Sequence, residues 1–384
     1  MGSGLTHLEY ERYSRHLLIP EVGLKGQEKL KESSVLIVGT GGLGSPVSSY
    51  LAAAGVGRIG IVDFDKVELS NLQRQVIHGS HSIGESKVVS AKNAMLDINQ
   101  DIQVDTFEEQ FTSENALRIA NNYDILIDGS DNFPTRYLSN DVCVLLGIPN
   151  IFGSVFRFDG QASVFYAKEG PCYRCLFPEP PPAGLIPSCA DGGVLGILPG
   201  TIGTIQATEA IKLLLGIGSN LIGRLLLYDA LEMTFDFVKI RKNPECRICG
   251  DRADIHALVD YEAFCGSSTR LDDMDLSDPH QTLMPEELSR KIEEKEIIFL
   301  LDVREPHELE ISRIKNAKNI PLGQLPGRLN ELNINQEIVI FCKSGHRSRR
   351  ALEILYSNGI RNAKYLKGGI NEWARIIDPS LPVY

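Results

Sequence analysis

The stretch VLIVGTGGLGSPVSSYLAAAG, residues 35–55, constrains the fold more than any other. Its first residues are apolar and largely β-branched, as a buried strand requires. Gly39, Gly41 and Gly44 then fall at G-x-G-x-x-G spacing, with Gly42 among them, and a helical run of small residues follows. A strand turning directly into a helix aims the helix's first N–H groups at the turn, and glycines there let the backbone approach a phosphate. Asp63 ends the next apolar run, nineteen positions after Gly44, where a carboxylate can accept hydrogen bonds from ribose hydroxyls. Short β-branched runs (VLIVG, IGIV, DILIDG) alternate with longer helical segments from 35 to 128, which predicts an α/β nucleotide-binding architecture with a parallel sheet.

The glycine spacing by itself leaves NAD and ATP both open. The flanking residues favour ATP. Asp65, Asn71, Arg74, Gln75 and Lys87, in DFDKVELSNLQRQ and GESKVVSAK, supply cations and amides suited to gripping a triphosphate. Asp131, with Asn132 beside it in GSDN, offers oxygen ligands for Mg²⁺. Any one of these alone reads equally well as a solvated charge or a turn residue. Their ordered occurrence around the glycine turn makes them one candidate site.

Cys172 and Cys175 in PCYRC, with Cys246 and Cys249 in CRIC, form two C-x-x-C pairs. Two such pairs suit tetrahedral Zn²⁺, and their separation means the metal would staple distant segments together. Redox-active pairs are the alternative, but a redox pair needs no twin. Cys189, in IPSCADGGVLGILPG, reads by residue type as an ordinary free cysteine, as do Cys143 and Cys265.

Net charge is −11 over 384 residues, which argues against broad binding to nucleic acid or anionic membrane. No apolar run reaches the roughly 18 residues of a membrane span. The first residues, MGSGLTHLEYERYSRHLL, carry charges where a signal peptide is apolar, and paired cysteines of this kind suit a reducing compartment. A cytoplasmic protein is expected. From 251 to 283 the chain carries eight Asp or Glu against two Arg, with turn-rich phrases, and reads as a linker. The expected organisation is therefore a domain over 1–250, an acidic linker over 251–280 and a small α/β domain over 281–384. The last has helix-like MPEELSRKIEEK, strands IIFLLDV, EIVIF and AKYL, and helices RSRRALEILYSNG and INEWARII.

Within it, FCKSGHRSRR (341–350) sets Cys342 at a strand end, before a loop with a histidine and four cationic side chains. Such surroundings lower a thiol's pKa and hold an anion. Phosphate ester cleavage and sulfur transfer both use a thiolate this way. Cysteine phosphatases resemble a longer C-x5-R loop; here four residues separate Cys342 from Arg347, a cradle better fitted to the outer sulfur of a persulfide, with Lys343 and Arg347 as its cations.

RYSRHLLIPEVGLKGQEKL, GTGGLGSPVSSYLAAAGVG, DFDKVELSNLQRQ and GSDNFPTRY resemble the MoeB/ThiF family, bacterial relatives of ubiquitin-activating enzymes, over about residues 5 to 250. LLDVREPHELEISRIKNAKNIPL, FCKSGHRSRRA and YLKGGINEW resemble a rhodanese-type sulfurtransferase domain over about 280 to 384. The resemblance implies a Rossmann-like, zinc-stapled adenylation domain with a mostly parallel sheet, followed by the rhodanese domain. It implies ATP- and Mg²⁺-dependent adenylation of a ubiquitin-like sulfur-carrier protein ending in Gly-Gly. Sulfur transfer from a Cys342 persulfide would then yield a thiocarboxylate, with thiosulfate or a cysteine desulfurase as donor. Arg74, Asp131 and Arg347 would join Cys342 in catalysis. Arg15, in RYSR, would reach the triphosphate of a neighbouring subunit, so a homodimer is implied. Cys189 matches a loop cysteine that some members use covalently, and Asp302 and Arg304, in DVRE, would brace the Cys342 loop. Two other readings stay open on the residues alone: an NAD-dependent oxidoreductase, and a non-enzymatic zinc-stapled scaffold.

Overall fold

The computed structural model describes residues 4–181, 192–266 and 281–384, so Cys189 lies outside the described residues. The chain forms two compact units, one within residues 1–268 and one within 269–384.

Among its described residues, the first unit holds eight strands: β1 (Ser34–Val38), β2 (Arg58–Val62), β3 (Gln103–Phe107), β4 (Ile125–Asp128), β5 (Asn150–Phe156), β6 (Asp159–Phe165), β7 (Arg224–Asp229) and β8 (Thr234–Lys239). They lie in the order β3-β2-β1-β4-β5-β6-β7-β8. The first five are mutually parallel, and β6, β7 and β8 continue the sheet antiparallel. The unbroken apolar run in β1 has a simple cause. Val35 and Ile37 enter a core with Val47 and Leu51 of the Gly44–Ala54 helix, while Leu36 and Val38 enter a second core with Tyr137 and Val142 of the Phe133–Leu146 helix. A strand covered on both faces can alternate nothing polar. Because β1 pairs with both β2 and β4, the strand order reverses at β1, and the crevice at the strand ends there is where such sheets bind ligands.

Within residues 251–266, whose acidity reads as the start of a linker, Tyr261 and Cys265 are buried in the first unit. Tyr261–Phe264 is a helical turn, and the buried Tyr261 donates its hydroxyl to Asp141 at 2.8 Å. Counting charges hides this, because the anchoring residues are the few aromatics among them.

The second unit is a five-stranded parallel sheet of β9 (Thr282–Leu283), β10 (Ile298–Asp302), β11 (Lys318–Asn319), β12 (Glu337–Phe341) and β13 (Ala363–Leu366), ordered β11-β10-β12-β13-β9. Ile338 and Ile340 face a core with Leu352 and Leu355 of the His346–Ser357 helix; Val339 and Phe341 face another with Ile370 and Trp373 of the Gly369–Ile376 helix. Among the described residues, no helix is long and apolar enough to cross a membrane.

Candidate functional site

The glycine turn after β1 is built by close approach. A Cβ on Gly44 would stand 2.0 Å from the Gly39 carbonyl oxygen, so only glycine lets the helix start this near the strand end. Thr40 is held from the β2 side, donating its N–H and hydroxyl to one Asp63 oxygen at 2.9 and 3.0 Å, while the other accepts the Asp65 N–H at 3.0 Å. Asp63 thus braces the turn as well as facing the pocket. Behind the turn, buried His78 donates from Nε2 to the Thr40 carbonyl at 3.2 Å and accepts at Nδ1 from Ser90 at 2.9 Å. Burial lowers its pKa, which favours the neutral ring and with it this tautomer.

A pocket opens over this turn. Gly39, Gly41, Gly42, Asp63, Asp65, Arg74, Gln75, Lys87, Asp131 and Asn132 all line it, from three separate connections of the sheet. Lys87 is almost wholly buried and paired with Asp65 at 2.8 Å, which fixes its ammonium at the wall. The Gln75 side-chain oxygen is buried there with no hydrogen-bond partner. A side-chain-free backbone and two cations fit a phosphate chain.

Three predicted residues stand apart. Gly44 lies beneath the turn. Asn71 is behind the wall: its side chain accepts the Glu68 N–H at 3.0 Å, and its carbonyl accepts the N–H groups of Arg74 and Gln75 at 3.1 and 2.9 Å. Arg15, on the short Ser14–Leu17 helix, is exposed and outside the pocket lining. Asn132 also caps the Phe133–Leu146 helix, accepting the Thr135 N–H at 2.9 Å. The motif reading passed over Arg136, which lines the pocket with its guanidinium 5.5 Å from the centroids of both Phe133 and Phe152. It passed over Asp128 as well, whose fully buried carboxylate accepts the Ser130 N–H and hydroxyl at 2.9 and 2.5 Å and leaves its other oxygen unpartnered. Burial raises its pKa against the pull of Arg136. The position of both in DILIDGSDNFPTR was the available signal.

The sulfur atoms of Cys172, Cys175, Cys246 and Cys249 all lie within 4.8 Å of one another. Measured separations are 3.9 Å for 172 to 175, 3.6 Å for 172 to 246 and 3.4 Å for 175 to 249. Four thiolates about 2.3 Å from a tetrahedral zinc stand about 3.8 Å apart, so this donor set fits the ion. Arg174, between the first two, forms a buried two-pronged ion pair with Asp141, which also accepts from Tyr261. The knuckle is thereby tied to the segment beyond residue 250. Cys143 and Cys265 sit in the second core, where burial raises both thiols, the latter to about 12.

In the second unit, Cys342 follows β12 directly and is buried, and the Gly345 N–H donates to its sulfur at 3.1 Å. Ser348 lies 3.6 Å from the same sulfur. The loop closes against the Gly369–Ile376 helix: Ile370 N–H donates to the Cys342 carbonyl at 2.8 Å, and a Cβ on Gly369 would meet that oxygen at 2.4 Å. Arg347 pairs with Glu308 through two bonds of 2.5 and 2.7 Å. Arg304 is fully buried, pairs with Asp302 at 2.6 Å and donates to the Ser312 carbonyl at 2.9 Å. His346 is exposed.

Fold and sites together define a nucleotide-binding α/β protein whose chain also carries a thiol cradle on a second, parallel sheet. Residues 13–248 match the ThiF family and residues 284–376 the rhodanese-like domain, and the chain belongs to the ThiF family with a rhodanese-like domain after it. It is 46% identical, over all of its length and 97% of the relative's, to the probable adenylyltransferase/sulfurtransferase MoeZ of Mycobacterium tuberculosis. It is 42% identical to the adenylyltransferase and sulfurtransferase MOCS3 of Bos taurus, covering 100% of this chain and 89% of that one. The sulfur carrier protein adenylyltransferase of Thermus thermophilus is 53% identical over 68% of this chain and 98% of its own. Among solved structures, E. coli MccB with ATP superposes with a TM-score of 0.55 at 24% identity, over 62% of this chain and 74% of that one, a likeness of fold.

Proposed function

We propose that this protein activates the C-terminal glycine carboxylate of a ubiquitin-like sulfur-carrier protein with ATP and then converts it to a thiocarboxylate with sulfur carried on Cys342. The observation that carries the reading is a ThiF nucleotide pocket and a cradled thiol in a single chain. A carboxylate is a poor acceptor for sulfur, so it is first joined to the α-phosphate of ATP with loss of pyrophosphate. Arg74, Lys87 and the N–H groups of the glycine turn hold the phosphates and offset developing charge. Asp131, with Asn132, would hold Mg²⁺, which supplies charge neutralisation on the phosphate oxygens. Arg15 comes from the neighbouring subunit of a homodimer; its own helix is flanked by exposed Leu8, Leu18 and Ile19, apolar surface that a subunit contact would bury.

Cys342 thiolate attacks the outer sulfur of a donor such as thiosulfate; the S–S bond breaks, sulfite leaves and a persulfide remains. The Gly345 N–H already points at the sulfur, and Lys343 and Arg347 provide the positive surroundings. The terminal persulfide sulfur attacks the acyl-adenylate carbonyl, and the C–O bond to AMP breaks. A second thiolate, for which Cys189 is the candidate, then attacks the Cys342 sulfur, releasing the thiocarboxylate and leaving a disulfide that an external thiol reductant reopens. Adenylation belongs to residues 1–250 and sulfur transfer to 281–384. The four clustered cysteines hold a structural Zn²⁺ with no position open for catalysis. We place the reaction in the cytoplasm, whose thiol pool keeps these cysteines reduced.

The test is intact mass spectrometry of a Gly-Gly-ending carrier incubated with this protein, Mg-ATP and thiosulfate. One oxygen should be replaced by one sulfur only with ATP and only when Cys342 is present. Replacement that survives Cys342→Ala would refute the role of this thiol.

A further inference from the structure

The last residue of the described chain, Tyr384, does not trail in solvent. Its hydroxyl donates to Glu308 Oε1 at 2.8 Å and accepts from Arg304 Nη1 at 2.8 Å. Glu308 is the carboxylate that grips Arg347 in the Cys342 loop. On the other side of the ring, the Lys343 ammonium lies 5.3 Å from the ring centroid, within cation–π range. The backbone of Tyr384 is fixed on both sides by one side chain: its N–H donates to Asn371 Oδ1 at 3.3 Å, and its carbonyl accepts from Asn371 Nδ2 at 2.7 Å. Asn371 in turn donates its own N–H to the Lys343 carbonyl at 3.1 Å.

We propose that Tyr384 is a positioning residue for sulfur transfer, tying both cations of the Cys342 cradle, Lys343 and Arg347, to the rigid body of the second unit. The proposal rests on Cys342 being the sulfur-carrying thiol. Charge on that thiol comes and goes as sulfur is loaded and delivered, and cations already in place stabilise it without reorganising. A lysine ammonium on a four-carbon stem needs such a stay, and the ring provides one. An arginine gripped by a carboxylate moves with that carboxylate. The Glu308 carboxylate is oriented by the Tyr384 hydroxyl, which Arg304, immobilised on Asp302, polarises towards it. A tyrosine serving stability alone would have no reason to meet both Lys343 and the carboxylate that grips Arg347.

The test uses the full chain with Tyr384→Phe, which keeps the ring but removes the hydroxyl, and Tyr384→Ala, which removes both. Two readouts are needed: kcat and KM for sulfur transfer from thiosulfate to cyanide, and the ratio of Cys342 alkylation rates by anionic iodoacetate and neutral iodoacetamide. Measured well below each variant's melting temperature, that ratio reports the positive field at the sulfur. Tyr384→Phe should lower kcat/KM for thiosulfate and the alkylation ratio each about three- to tenfold, the size of one ordinary hydrogen bond, and Tyr384→Ala should lower both further. Both variants keeping the wild-type ratio and kcat/KM within about twofold while the melting temperature falls would overturn the proposal. If wild-type protein moved no sulfur through Cys342, the functional reading would fail separately, and the alkylation ratio would still decide the role of Tyr384.

Discussion

Burial by itself would raise the Glu308 carboxyl above the ordinary 4.5, yet hydrogen bonds from Arg347 and the Glu305 N–H hold it down to about 2. A carboxylate depressed in the folded state contributes stability above its unfolded pKa and loses that contribution as pH falls through the folded value. Here the window runs from 4.5 down to about 2, and the contribution at neutral pH is about 3 kcal/mol. Glu308→Gln should therefore weaken the second unit at pH 7 by an amount of that order and flatten its acid transition between those limits. Trp373 is the only tryptophan and lies buried in this unit, so its fluorescence in urea at several pH values measures the effect. In the first unit, Arg74→Ala and Lys87→Ala should each cut ATP–pyrophosphate exchange about 10²-fold, as loss of a preorganised charge partner does. Thiosulfate-to-cyanide sulfur transfer by the same variants should be unchanged.

The CYRC knuckle is held in place twice, by its thiols and by the charge between them. Arg174 and Asp141 are 3% and 0% exposed, and breaking such a pair strands a buried charge. Asp141→Asn should cost the first unit about 3 to 5 kcal/mol, measured as a shift in thermal unfolding. Stripping zinc with a strong chelator should release one equivalent, read with a metal-sensitive dye, and unfold the first unit at lower temperature. The Trp373 transition should stay where it was. The sequence made the strands β1, β2 and β4 legible because burial on both faces leaves runs with no polar break, and the thiol knuckles because their spacing has few other uses. It concealed what depends on partners far away in the chain. Asp141 and Arg174 look like solvated charges until the fold brings them together, and Arg136 hides in the same motif that announced Asp131. The pairs β9 and β11 are two residues each, too short for any period to register. Strand β8 is exposed along its whole length at the sheet edge, so the alternation of Phe235 and Phe237 with Thr234 and Asp236 marks no buried face. Around the cradle, Cys342 and Arg347 were readable from a ten-residue phrase, whereas Glu308 meets Arg347 across 39 residues of chain and Tyr384 meets Glu308 across 76.

At the scale of the molecule, each unit has its own pair of hydrophobic clusters covering both faces of its own sheet. Calorimetry should accordingly resolve two transitions, of which only that of the second unit coincides with the change in Trp373 fluorescence; a single concerted transition would contradict this. Both units also share a device, a turn in which backbone touches backbone where a side chain would stand, at Gly44 against Gly39 and at Gly369 against Cys342. This has a genetic consequence. Any change to the first or second base of a glycine codon installs a side chain or a stop, so neither turn has a neutral missense neighbour. Gly323 and Gly327, with open space around them, have many. The history of this chain is thus free to drift on its surface loops and is fixed at points such as these two turns, where the polypeptide leaves no room for an atom.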